Sequence, residues 1–135
     1  MTKRNIHGDW TMSFEKRLFF SKIVGATNDE AAQSWFDEMI DIVMASEGGD
    51  RTPWVALVDG REWETASLDA METNNELANW MFQHNCAQVI TVYASRLQVF
   101  AAEKQLNRDG LIQFYFNYDE ALQASFDKLS NLQGN

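Results

Sequence analysis

Cysteine occurs once in this chain, at Cys86, and proline once, at Pro53. A single thiol excludes an internal disulfide, and no N-terminal basic, apolar and small-residue stretch resembles a secretory signal, so a reducing cytoplasm is the expected location. Histidine is limited to His7 and His84, with no third residue spaced to complete a metal site, and no metal or other cofactor is expected. Positive charge is also scarce: 11 Lys and Arg against 20 Asp and Glu give a formal charge of -9. That balance opposes nucleic-acid binding, which draws its affinity from cations neutralising phosphates. It also repels an anionic membrane surface. No window approaches the roughly 20 apolar residues that span a bilayer, so membrane insertion is not expected. A phosphate loop and a nucleophile motif are absent too.

What is present is an architecture. At 135 residues and 45% hydrophobic content, the chain matches one domain over residues 1–135 and can bury a core. In its back half an apolar run feeds a helical pattern three times: WVALVDG into Ser67 to His84, AQVITVYA into Arg96 to Asn107, and LIQFYFN into Tyr118 to Asn131. Such pairs predict parallel strands joined by crossover helices. The front half adds two strand-like runs, Asp9 to Phe14 and Arg17 to Val24, read as a hairpin that turns at Glu15 and Lys16. Thr27 and Glu30 are spaced as a capping box for a helix with Trp35, Phe36, Met39, Ile40 and Val43 on one face. The reading is an α/β fold: a five-stranded mixed sheet flanked by four helices. WVALV lacks a polar alternation, so its strand is expected to be central and buried on both faces.

The later helices are expected to bury Leu68, Met71, Ala78, Met81 and Phe82, then Leu97, Phe100, Ala101 and Leu106, then Leu122, Phe126 and Leu129. Ligands of open parallel sheets collect beyond the carboxyl ends of the strands, near a switch in connection direction. That rim holds Asp59 to Thr65, then Ser95 and Arg96, then Asn117 to Asp119. Ser95 and Asp119 also suit helix caps, whereas Arg61 and Trp63, read as loop residues free to project, are the residue types that anchor interfaces. Their joint replacement by Ala is expected to leave stability within about 1 kcal/mol. Ser95, Arg96 and Asn117 form a possible ligand rim.

In order and spacing, three segments resemble a known family. LFFSKIVGATNDEAAQSWFDEMI is similar to the strand, glycine and helix that open STAS domains. WVALVDGREWETASLDAM is similar to their central strand, acidic residue and helix, and FYFNYDEALQASF to their closing strand and helix start. STAS is the fold of bacterial anti-sigma-factor antagonists and of sulfate-transporter tails; the likeness is greater to the SpoIIAA-like group, small bacterial proteins described as related to lipid-binding SEC14 domains. The resemblance implies a non-catalytic regulatory module that binds a protein partner through the rim and helix after the central strand, at Asp59, Arg61, Trp63, Ser67 and Asp69. Where antagonists carry Asp-Ser-Ser-Gly with a phosphorylated Ser or Thr, this chain reads Glu64 to Asp69 without the glycine. Without gaps the phosphoacceptor position falls on Asp69, and a shifted register brings Ser67 close, so a kinase-controlled switch is not expected.

Two other classes stay open. The 13% aromatic content allows a carrier or sensor of a small apolar, lipid-like ligand, although a filled core explains those residues as well. Glu62 and Glu64, two apart in an extended segment, could serve as an acid and base pair on one side, although exposed carboxylates suit an acidic surface. Neither the partner nor the choice between monomer and homodimer follows from the sequence.

Overall fold

The computed structural model describes residues 8–66, 68–100 and 111–133. The elements in chain order are β1 (Asp9–Glu15), β2 (Leu18–Thr27), α1 (Asp29–Ala45), β3 (Trp54–Ala66), α2 (Leu68–Gln83), β4 (Cys86–Val92), α3 (described over 96–100), β5 (Ile112–Tyr115) and α4 (Tyr118–Gln133). The strands form one mixed sheet in the order β1-β2-β3-β4-β5, antiparallel between β1 and β2 and parallel thereafter. Successive parallel strands each need a crossover, which α1, α2 and the segment containing α3 supply.

β3 is the middle strand, and Trp54, Val55, Ala56 and Leu57 are fully buried, as the unbroken apolar run predicts. Its two faces meet different partners. Trp54 and Ala56 join Phe19, Trp35, Met39, Val43, Leu77 and Met81 beneath α1 and α2. Val55 and Leu57 join Ile90, Val92, Ala121 and Leu129 beneath α4. The period-2 alternation of strand side chains produces this division.

The hairpin differs from the sequence reading by one position. Its turn is Lys16–Arg17, both in the left-handed region at φ 51° and 67°, with Glu15 paired to Leu18. Those angles match the two-residue turn that suits strand twist, normally filled by Asn or Gly. Arg17 has a compensating role: its guanidinium donates to the carbonyls of Glu47, Gly49 and Thr52 and so ties the hairpin to the α1–β3 loop.

Three helix details also differ. α1 is capped by Asn28, whose side chain accepts from Ala31 N, while Thr27 is still paired in β2. Asn is at least as good a cap as Thr and stands one residue nearer the first turn. Leu97 and Phe100 of α3, expected inside, are 76% and 56% exposed, and Ala101 and Leu106 lie outside the described residues. Helical periodicity shows that a face is apolar, not that the same chain covers it. In α4 the buried stripe is Ala121, Ser125 and Leu129, and Phe126 is exposed. Small side chains at the first two positions let the helix approach the sheet, and Ser125 satisfies its hydroxyl on Ala121 O.

Candidate functional site

The carboxyl-end rim is built by β3 outrunning its neighbour. The β3–β4 pairing ends at Asp59 and Val92, whereas the β2–β3 pairing continues to Thr27 and Ala66. Gly60 to Thr65, expected as a loop, is therefore strand, paired on one side only. Since the parallel strands follow one another without a reversal in order, the sheet has no topological switch point, and the rim is instead the projecting end of β3.

Two register shifts shape this end. Lys22 and Val24 of β2 face Asp59 and Glu62, so β3 carries an extra residue there; a second extra residue falls between Trp63 and Thr65, opposite Gly25 and Ala26. A one-residue bulge reverses which face later side chains occupy. Trp63, which strict alternation would place with Asp59 and Arg61, instead lines a cavity together with Val58 and Gly60. The second bulge falls at Glu64, which breaks the alternation that would set it beside Glu62. Glu62 is ion-paired with Lys22 at 2.6 Å.

Carbonyls on the unpaired edge of β3 need donors, and Gln98 supplies them. Its amide nitrogen donates to Gly60 O and Trp63 O, while its amide oxygen accepts from Ala94 N and Ser95 N. Ser95 Oγ accepts in turn from Gln98 N at 3.2 Å, which makes Ser95 and Gln98 a reciprocal cap of α3. The Ser-x-x-Gln spacing at 95 to 98 was a legible signal for this cap; the reach of Gln98 to β3 was not.

Of the site residues expected from the sequence, Asp59, Arg61 and Trp63 all lie on the projecting β3 strand. Asp59 is buried, its side chain 3% exposed, and Arg61 clamps it with Nε to Oδ1 at 2.9 Å and Nη2 to Oδ2 at 2.8 Å. Burial pushes the Asp59 carboxyl up, but the hydrogen bonds and charge of Arg61 outweigh it and hold the group below its usual range. Arg61 also lies over the Tyr118 ring at 5.2 Å. Asp59 is thus a support for Arg61 rather than a surface group.

Trp63 is half-buried: its indole donates to Thr27 Oγ1 at 3.1 Å, packs on Ala32 and is tilted against Tyr93. Neither Arg61 nor Trp63 is free to project as the loop reading supposed, so the expectation that replacing both leaves stability within about 1 kcal/mol does not carry over. Ser67 lies outside the described residues, as does the side chain of Asp69, whose backbone is in the first turn of α2. Arg96 lies over the Phe116 ring at 5.7 Å, and Asn117 Oδ1 accepts from Glu120 N, so Asn117 rather than Asp119 caps α4. These contacts make Arg61, Tyr118, Phe116, Arg96 and Leu97 neighbours along one rim.

The aromatic content allowed an apolar pocket beside a filled core without placing it, and the structure has a cavity. It lies between the sheet and α1 and α2, has a volume of about 120 Å³, and includes Trp35, Leu77, Met81, Val89 and Tyr93 in its wall. Gly60 is required there: a Cβ would stand 2.7 Å from Tyr93 Cε1, so only glycine lets that ring lie across the strand. Cys86, at the opposite end of β4, is buried, and its thiol is pushed up to about 12 by loss of solvent, as fits a structural thiol. His84 stacks on Trp80 and lies outside the rim, and His7 is outside the described residues. Among the described residues, no group of three or more His, Cys, Asp or Glu is placed to hold a metal ion, and no helix is long and apolar enough to cross a membrane.

No protein-family model matches the chain, and no curated protein matches it by sequence. Solved structures do. An uncharacterised protein of the DUF3478 family with a SpoIIAA-like fold, from Shewanella loihica, superposes with a TM-score of 0.65 at 20% identity, covering 93% of this chain and 98% of that one. The anti-sigma factor antagonist SpoIIAA in its unphosphorylated form gives 0.59 at 7% identity, covering 88% and 98%. An anti-sigma factor antagonist from Mycobacterium paratuberculosis gives 0.55 at 12% identity, covering 89% and 95%. The chain has the SpoIIAA-like STAS fold that its segments resembled.

Proposed function

We propose that this protein is a non-catalytic regulatory module that binds a protein partner through the carboxyl-end rim of its sheet, after β3 and along the start of α3. The observation that carries the reading is a row of exposed apolar side chains at that rim. Leu97, Phe100 and Phe116 are 76%, 56% and 50% exposed, and Arg96 and Arg61 stand among them on aromatic rings. Aromatic and arginine side chains that are already held in place are the usual anchors of protein interfaces, because little side-chain freedom is left to lose. The fold supports the same reading, since two of the similar structures are anti-sigma factor antagonists, proteins named for acting on another protein. Arg61 belongs to the proposed surface, with Asp59 as its fixed counter-ion. Trp63 becomes the wall behind it.

The test is capture of partners by the intact chain from lysate of its native host, compared with the double variant Leu97→Ser and Phe116→Ser. Both side chains are exposed, so the variant should fold with stability within about 0.5 kcal/mol of the parent. A partner retained by the parent and lost by the variant supports the reading. Equal capture by both removes the rim from the account. Intact mass of the protein from the same host should show no phosphorylated fraction, and stoichiometric phosphate on Ser67 or Thr65 would restore the antagonists' switch.

A further inference from the structure

Among the described residues, most buried or half-buried polar side chains hold hydrogen bonds. The indole N–H groups of Trp10, Trp35, Trp54 and Trp63 donate to Glu38, Ser21, His84 O and Thr27 in turn. Buried Thr73 donates to Asp29, and Thr91 to Gln113 O. Tyr93 is only 7% exposed, with its ring between Trp63 and Phe114, yet among the described residues its hydroxyl meets no acceptor. Burial alone pushes that hydroxyl up to about 12, so it stays protonated and able to donate across the physiological range. A buried hydroxyl without a partner costs about 1–3 kcal/mol, a cost that Phe in the same volume would avoid.

Tyr93 lines the apolar cavity, whose volume of about 120 Å³ is close to the roughly 150 Å³ of an apolar cavity that holds benzene. Among the described residues of its wall there is no Asp, Glu, Lys or Arg. A charged guest would lose its hydration there without gaining a counter-charge. Of the other polar groups in the wall, Thr27 and Thr91 already hold hydrogen bonds, and Asn74 is half-exposed.

We infer that this cavity binds a small neutral molecule about one ring in size, whose single carbonyl, ether or hydroxyl oxygen accepts a hydrogen bond from Tyr93. The ring lies among Trp35, Leu77, Met81 and Val89, and the oxygen faces β4. Gly60 holds the site open by letting the Tyr93 ring rest on the β3 backbone. The inference does not depend on the partner surface at the rim, and its test involves no partner.

The experiment uses the full chain labelled with nitrogen-15 and follows the indole signals during titration with cyclohexanone, toluene and benzoate. Trp10, Trp35 and Trp63 line the cavity, whereas Trp54 and Trp80 do not and report non-specific effects. Cyclohexanone should shift the three lining indoles in a saturable manner, toluene should do so more weakly, and benzoate should not. In Tyr93→Phe the affinity for cyclohexanone should fall about fivefold, the worth of one hydrogen bond, with that for toluene unchanged. The same variant should be no less stable than the parent, because its hydroxyl has no partner to lose. Absence of saturable shifts with cyclohexanone in the parent, tighter binding of benzoate, an unchanged cyclohexanone affinity in Tyr93→Phe, or a marked loss of its stability would each overturn the assignment.

Discussion

The two faces of the sheet are closed by different means. Beneath α4 the buried centre is aliphatic, with Val55, Leu57, Ile90 and Val92 under a helix that presents Ala121, Ser125 and Leu129, and the aromatic rings of Phe20, Tyr115 and Tyr118 stand only at its partly buried margin. Branched chains of similar size interdigitate, and the small helix residues bring the backbone close. Beneath α1 and α2 the contacts are aromatic and sulfur-bearing, with Phe19 edge-on to both Trp35 and Trp54. Rigid rings meet at fixed angles and cannot flow into corners, and the cavity lies on this face. One face acts as foundation, and the other has room for a guest.

The largest expected effect tests the foundation. Leu57 is fully buried toward α4, and Leu57→Ala should lower unfolding free energy by about 2–5 kcal/mol in denaturant titration. A loss under about 1 kcal/mol would mean that the α4 face is not tightly packed. A sharper form compares two buried alanines on the helices. Ala121→Val, under α4, should cost about 1–3 kcal/mol by overpacking. Ala78→Val, in the cavity wall, should stay within about 1 kcal/mol of the parent because its methyl groups enter available space. Helix propensity changes equally in the two and cancels. Equal losses would erase the distinction between the faces.

Arg61→Ala separates packing from charge. It leaves Asp59 buried without its clamp, and with Arg61 itself 43% exposed the loss should be about 1–2 kcal/mol at neutral pH. Because the folded carboxyl is depressed, its contribution is present above the unfolded pKa of about 3.9 and is lost as pH falls toward the folded value. The parent should therefore lose stability over that acid range more steeply than Arg61→Ala. Parallel acid profiles would show that the clamp contributes nothing. At the alkaline end the sign is opposite: Cys86 and Tyr93 are raised to about 12, so their contribution is full below the unfolded values and is lost as pH rises toward 12. Cys86→Ala should flatten that alkaline loss in unfolding curves.

Much was decided by the residues in order. The buried run WVALV, the helical periods after each strand and the break at Gly48 and Gly49 specified the α/β alternation and the central strand, because local period and burial are both written in neighbouring residues. Capping was legible in kind, though Asn28 took the place expected of Thr27 and Asn117 that of Asp119. The tertiary structure alone decided the rest. The bulges that turn Trp63 inward arise from register against β2, which no local pattern carries. The clamp of Arg61 on Asp59, the reach of Gln98 to β3 and the cover of Gly60 by Tyr93 join residues through strand ends that end at different heights. The exposure of Leu97 and Phe100 could not be read either, since an apolar stripe looks the same whether its cover is the same chain or another molecule.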